Sequence, residues 1–146
     1  GEAIIQMMAT FVLMDRDSRK VRAVDPEIVA PYQSDFSKKL LRGPKYPALE
    51  KTISKDYHVR FYDLDMNGHV NNSKYLDWIF EVMGADFLTH HIPKKVHLKY
   101  VKEVRPGGMI ASSYDLEGLQ SNHQISSDGE VNAQALVTWQ EFKQEN

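Results

Sequence analysis

The chain of 146 residues contains no cysteine. That absence excludes a disulfide framework, a thiolate metal site and a cysteine nucleophile. Neither charge sign is in excess. Eighteen Lys and Arg against twenty Asp and Glu leave a formal charge of -2, so the global basic field of a nucleic-acid binder is missing. No apolar run reaches membrane-spanning length, which gives no reason to expect a membrane partner. A signal-like start is also lacking, since Gly1-Glu2 leads straight into a strand-like run. The expected setting is therefore a reducing cytoplasm. What is present suits a globular protein: 26% charged and 42% hydrophobic residues, in a length that fits one ordinary domain.

Residues 3–14 (Ala3 to Met14) read as one long strand rich in Ile, Met, Phe and Val. Asp15-Arg16-Asp17-Ser18 reads as a turn, and residues 19–33 as irregular, with Pro26 and Pro31 breaking any long helix. A strand this apolar needs sheet neighbours, and none is offered before it, so a fragment or missing upstream residues are expected. Such a strand would leave an exposed edge, and with it a tendency to self-associate. Residues 34–50 resemble a linker. Within it Ser34 to Leu41 suit a short helix that Gly43-Pro44 and Pro47 would stop.

From Lys51 a self-contained pattern begins. Tyr57 to Tyr62 reads as a strand. Asn72 to Phe87 reads as a helix, with Tyr75, Leu76, Ile79, Phe80 and Met83 at helical spacings and Asn71 or Asn72 as the N-cap. Four strands are then expected, over 96–104, 109–116, 122–126 and 131–142, with Asp128-Gly129 as a hairpin turn. The last strand puts Val131, Ala133, Ala135, Val137 and Trp139 on one face, and Asn132, Gln134, Thr138 and Gln140 on the other. A helix apolar nearly all round needs burial on most sides. The expected fold is α+β: an antiparallel sheet wrapped around a central helix.

The most informative stretch is Asp65-Met66-Asn67-Gly68-His69-Val70-Asn71-Asn72. An acid, an amide and an imidazole recur at every second position, so an extended segment would turn them to one side. Gly68 allows a sharp bend or a close approach to a ligand. A carboxylate can orient an imidazole or act as a base, an amide can polarise a carbonyl, and an imidazole can move protons near neutral pH. On the residues alone, a capped turn before a helix is the simpler reading, because Asp and Asn are common turn and cap residues. His90-His91 invites a metal reading, but the rest of a ligand set is missing, and a polar turn after the helix is expected instead. Lys38, Lys39, Arg42 and Lys45 form one small basic cluster, and Lys94, Lys95, Lys99 and Lys102 another. Each lysine or arginine taken singly reads as part of a solvated face.

The run from Val59 to Asn72 resembles the signature of the hotdog-fold thioesterases. Continued through Tyr75-Leu76-Asp77-Trp78, it is similar to the acyl-acyl carrier protein thioesterases, the plant and bacterial enzymes that end fatty acid synthesis. Two outlying stretches agree. Phe11 to Val21 resembles the end of that family's first hotdog, and Leu98 to Val104 its strand bearing a catalytic glutamate. The resemblance implies the tail of a truncated first hotdog over 1–33, a linker over 34–50, and a complete catalytic hotdog over 51–146. It places the catalytic groups on Asp65, Asn67, His69 and Glu103. Plant relatives carry a cysteine where this chain has Val104, and many carry a larger residue at Gly68.

The expected reaction is hydrolysis of fatty acyl thioesters on acyl carrier protein, with no cofactor and no metal. His69, oriented by Asp65, would move protons. Asn67 would polarise the carbonyl, Glu103 would hold or activate water, and the backbone N–H groups of Val70, Asn71 and Asn72 would hold the oxyanion. Asn67 as nucleophile ranks lower, since an amide nitrogen is a poor nucleophile, and attack by Asp65 through an anhydride is the other variant. Either basic cluster could meet the acidic carrier protein, and a second hotdog, in tandem or as a homodimer partner, is expected to pair with this one. The plastid stroma replaces the bacterial cytoplasm if the source is a plant. A hotdog hydratase or dehydratase, and a non-catalytic acyl-thioester-binding module, are the rival functions.

Overall fold

The computed structural model describes residues 4–18, 20–32 and 43–142. The chain divides into two compact units, residues 1–42 and 43–146. In the first, strand β1 (Leu13–Met14) pairs antiparallel with β2 (Val21–Arg22). The turn between them forms as expected: Asp15 Oδ1 accepts from the backbone N–H and the hydroxyl of Ser18, both at 2.8 Å. A four-residue helix α1 (Pro26–Val29) follows, with Asp25 capping it and Pro26 at its first position. The long strand expected from Ala3 shrinks to two residues. A strand requires a hydrogen-bonding neighbour, and among the described residues of this unit only Val21–Arg22 supply one. Ile4, Met7 and Phe11 are exposed. The short helix expected within 34–41 lies outside the described residues.

The second unit is built on five antiparallel strands: β3 (Ile53–His58), β4 (His91–Tyr100), β5 (Met109–Glu117), β6 (Gln120–Ser127) and β7 (Glu130–Glu141). Their order across the sheet is β3-β5-β6-β7-β4. The β6–β7 hairpin turns at Asp128-Gly129, both at positive φ, as the dipeptide requires. Helix α2 (Asn72–Glu81) lies against one face of this sheet and buries Tyr75, Trp78 and Ile79. The sheet meets it with Ile110, Ser112 and Tyr114 of β5, Ile125 of β6, and Ala133, Ala135, Val137 and Trp139 of β7. The predicted inward face of the last strand is observed from Ala133 to Trp139; at its start Val131 is only partly buried and Asn132 is buried instead, where the register shifts. Fully burying a side chain such as Ile79, at 0% exposure, stabilises by about 2 kcal/mol. The Ser112 hydroxyl donates to the Trp78 carbonyl at 2.9 Å, tying helix to sheet. This is a hotdog: an antiparallel sheet around a central helix.

Boundaries differ from the sequence pattern where backbone chemistry intervenes. The expected helix to Phe87 is cut at Gly84, which sits at φ +83°; a short helix α3 (Ala85–His90) then resumes. That break swings Phe87 onto Trp139, edge to face at 5.0 Å. Strand β3 starts at Ile53 and stops at His58, because Phe61–Asp63 form a 3-10 turn. Strand β4 starts at His91 and ends at Tyr100, so Glu103 lies beyond the sheet. Pro93 is accommodated on this edge strand by a register shift between Pro93 and Lys95. The His90 and His91 rings bond back to the carbonyls of Asp86 and Phe87. Among the described residues no three potential ligands gather as for a metal, and no helix is long and apolar enough to cross a membrane.

A buried polar chain crosses the core. Trp139 Nε1 donates to Ser121 Oγ at 2.7 Å. The Ser121 hydroxyl lies 2.7 Å from His123 Nε2 and continues the chain to that ring. Nδ1 has no partner among the described residues. Burial pushes the His123 pKa down from 6.5 to about 4. A lowered histidine pKa means that the unfolded chain binds more protons between those two values. Stability therefore falls as pH drops from about 6.5 to about 4, by about 3 kcal/mol in total, and this contribution levels off below. Urea unfolding at stepped pH measures it. His123→Gln should flatten that slope; an unchanged slope would refute the burial argument.

Candidate functional site

The segment that carries the expected site is a tight turn rather than an extended run. Two backbone bonds close it: the Asp65 N–H donates to the His69 carbonyl at 2.7 Å, and the Gly68 N–H to the Asp65 carbonyl at 3.0 Å. Leu64 and Val70 face each other across its neck. Gly68 sits at φ +75°, with no heavy atom within 4 Å of where a Cβ would stand. The constraint at this position is therefore backbone conformation, not space.

Asp65 holds the turn from inside. Its Oδ1 accepts from the N–H of Asn67 at 2.8 Å and of His69 at 3.1 Å. The His69 N–H, then the Asn67 N–H, the His69 ring and the Asn67 side-chain amide keep the Asp65 carboxyl below the usual carboxylate range. Asp65 thus grips the backbone of His69. Asp65 is expected to orient the imidazole; the ring's hydrogen-bonding partner here is Glu103. His69 Nδ1 lies 2.9 Å from Glu103 Oε1, with the two side chains 49% and 44% exposed. Asn67 is exposed on the turn.

Sequence reasoning missed Asp63, which anchors the turn. Its side chain is 1% exposed and accepts from the Arg60 N–H at 2.7 Å and from Arg60 Nη2 at 3.0 Å. Burial works against its charge, but the Arg60 guanidinium and amide outweigh that and keep the carboxyl below its ordinary range. The Asp63 carbonyl accepts from the Asn71 N–H at 2.8 Å. One residue therefore joins the 3-10 turn before the site to the helix after it. The available signal was an acid three residues after Arg60, a spacing that suits a capped turn.

The start of α2 is also specified. Asn71 caps it, its Oδ1 accepting from the Ser73 N–H at 3.0 Å. Because the Asn71 N–H is taken by Asp63, the expected oxyanion group of Val70, Asn71 and Asn72 loses its middle member. Lys74 N–H bonds to the Asn71 carbonyl. Opposite, the segment past β4 brings in Glu103, and the Tyr100 hydroxyl donates to the Asn72 carbonyl at 3.0 Å. A carboxylate, an imidazole and a helix N-terminus thus meet at one end of the fold. That combination can move a proton and stabilise a developing anion.

The sequence model of the acyl-ACP thioesterase C-terminal domain matches residues 46–141, and that of the N-terminal domain matches residues 1–32. The chain belongs to the acyl-ACP thioesterase family. A chloroplastic acyl-[acyl-carrier-protein] hydrolase of Cuphea viscosissima is 31% identical over 113 residues, 70% of this chain and 27% of that protein. An oleoyl-acyl carrier protein thioesterase of Arabidopsis thaliana, also chloroplastic, is 26% identical over 77% of this chain and 34% of its own length. The chain spans about a third of the curated relatives it matches. A structure from Lactobacillus plantarum assigned as an oleoyl thioesterase superposes with a TM-score of 0.79 at 34% identity, over 90% of this chain and 55% of the other. A 12:0-ACP thioesterase structure from Umbellularia californica, at 21% identity and TM-score 0.67, shares the fold over 88% of this chain and 53% of its own.

Gly68→Ala should destabilise the acyl-ACP thioesterase hotdog by about 1 kcal/mol, the cost of a left-handed conformation for a residue with a Cβ. Gly68→Asn should cost less, because asparagine tolerates that region. Denaturant midpoints of both variants check the order. A stability loss of several kcal/mol in either would mean that the turn is closed by packing instead.

Proposed function

We propose that the protein is a thioester hydrolase that releases fatty acids from acyl carrier protein and so ends fatty acid synthesis. The contact between His69 Nδ1 and Glu103 Oε1 at 2.9 Å carries this reading. A carboxylate on Nδ1 selects the tautomer whose proton lies there, which leaves Nε2 as the acceptor. Nε2 takes a proton from water as the water oxygen bonds to the thioester carbon. Collapse of the intermediate breaks the carbon–sulfur bond, and the imidazolium returns the proton to the departing thiolate. Glu103 stabilises the imidazolium between the two steps. In this account it orients the histidine rather than holding the water. Asp65 keeps the turn in shape, and its commitment to two amides weakens it as a nucleophile. Asn67 polarises the carbonyl, with the Val70 and Asn72 amides as the oxyanion donors.

The acyl carrier protein is the partner, and Lys94, Lys95 and Lys99 of β4 offer an acidic carrier a basic edge. Nucleic acid and membrane have no part in the reading. Residues 1–33 would be the tail of a first hotdog, 34–50 a linker and 51–146 the catalytic hotdog. Another hotdog, in tandem or as a homodimer partner, would pair with this one. The compartment would be the plastid stroma in a plant and the cytoplasm in a bacterium. A non-catalytic binding module would need no carboxylate seated on an imidazole, and a hydratase would leave the thioester intact.

Thiol release from long-chain acyl carrier protein tests the reading in the complete protein. His69→Ala and Glu103→Gln should each lower turnover by about 100-fold or more, with unchanged thermal midpoints. Asp65→Asn and Asn67→Ala should also lower it. Retained turnover in both His69→Ala and Glu103→Gln would refute the site. Hydration of an enoyl thioester without thiol release would favour the hydratase, and acyl-carrier binding without either reaction the binding module.

A further inference from the structure

Glu103 sits past the end of β4, on a segment that no strand pairing holds. Two buried polar side chains, Asn132 and Tyr75, bond to the backbone on either side of it. Asn132 of β7 is 2% exposed and is skipped in the pairing with β6, where the register shifts between Ile125 and Ser126. Its backbone carbonyl accepts from the Val101 N–H at 2.8 Å and the Lys102 N–H at 3.1 Å. Its side-chain Nδ2 reaches back to the carbonyls of Lys102 and Glu103, at 3.4 and 3.3 Å. Ser127 Oγ donates to its Oδ1 at 2.9 Å and so fixes which end of the amide faces that segment. On the other side of Glu103, the Val104 N–H donates to the Tyr75 hydroxyl at 3.1 Å, in a buried setting. Tyr75 belongs to α2, the helix that opens two residues after Val70. Its ring is itself held edge to face against Tyr100, at 5.1 Å between centroids.

We propose that Tyr75 and Asn132 are positioning residues for the reaction: together they clamp the backbone on both sides of Glu103 and aim its carboxylate at His69 Nδ1. This rests on the thioesterase reading above and deepens it. The geometry explains why a buried asparagine stands at the register shift of β7. An amide there supplies both an acceptor for Ser127 and donors for the carbonyls of the Glu103 segment, which an apolar side chain cannot do. Tyr75 matters for a second reason. It links α2, the helix that the His69 turn leads into, to the backbone beside Glu103. A shift of Glu103 is therefore coupled to a shift of the helix that the His69 turn leads into. Displacing a catalytic group by about 1 Å costs on the order of 100-fold in rate, so a partial loosening of one hold should cost roughly ten-fold.

The test is a double-mutant cycle in the complete protein, read as kcat and KM for hydrolysis of long-chain acyl carrier protein. Tyr75→Phe removes one oxygen and keeps the ring; Asn132→Ala removes the amide; each is made with Glu103 present and in a Glu103→Gln background. With Glu103 present, each variant should lower kcat roughly ten-fold, with KM changed by less than about two-fold. In the Glu103→Gln background, each should cost less than about two-fold, because the group they aim is already gone. An equal proportional loss in both backgrounds, or no loss with Glu103 present, overturns the clamp. If Asn132→Ala does not fold, Asn132→Asp keeps the volume and the Ser127 bond while removing the donors, and should show the same pattern. A Glu103→Gln protein with parental turnover would instead overturn the site assignment, and the clamp with it.

Discussion

The second unit depends on one constraint: α2 carries large apolar side chains on most of its circumference and must be covered. Tyr75, Trp78 and Ile79 are all buried, and the sheet curves to cover them. Ala133 and Ala135, both fully buried, leave the room beneath the helix that larger residues would fill. Once the helix is so placed, its two ends have no freedom. The C-terminal end must turn sharply, which Gly84 permits at φ +83°. The N-terminal end must emerge beside the loop that follows β4. The meeting of His69 and Glu103 follows from burying the helix. It does not require attraction between two half-exposed side chains, whose pairing in water is worth little.

Much of this was legible in the sequence, for a physical reason. The period-2 alternation of β7 and the 3.6-residue pattern of α2 report burial directly, and burial decides both elements. Asp128-Gly129 is as direct, because a two-residue hairpin needs positive φ at both positions and those residues allow it. What pattern could not give was the shape of the 65–69 segment. Alternating polar residues predict an extended run only if neighbours extend it. Here Asp65 finds nearer partners in the N–H groups of Asn67 and His69, and local side-chain bonds win over strand geometry. The long strand expected from Ala3 fails through the converse cause. Its residues suit a strand, but pairing is a property of the neighbours, and the two-residue β1 has only β2.

The site residues divide along the same line. Asp65, Asn67 and His69 lie close in sequence and invite a joint reading. Glu103 came only from a family likeness, since an exposed glutamate between lysines and arginines has no distinguishing pattern. Least visible were the groups that hold the others in place. Asp63 reads as one more loop acid, and Asn132 as one more polar residue on the outward side of an alternating strand. Only contacts reveal them. Each is buried and polar, with partners that lie on a different part of the chain or at the far side of a turn.

That division has an energetic logic. Groups that act on a substrate must reach it, and the proposed groups His69, Asn67 and Glu103 stand at the surface, where side-chain contacts alone fix little. Positional precision must then come through the backbone, and it must come from polar groups that water does not reach. A buried carboxylate or amide without partners costs several kcal/mol, so Asp63 and Asn132 are strongly held to the arrangements that satisfy them. The same rule bears on the buried chain Trp139–Ser121–His123, in which His123 Nδ1 has no partner among the described residues. The rigid parts of this molecule are therefore its apolar helix–sheet contact and a few satisfied polar atoms at its rim. The residues proposed to carry the chemistry lie on short loops between them.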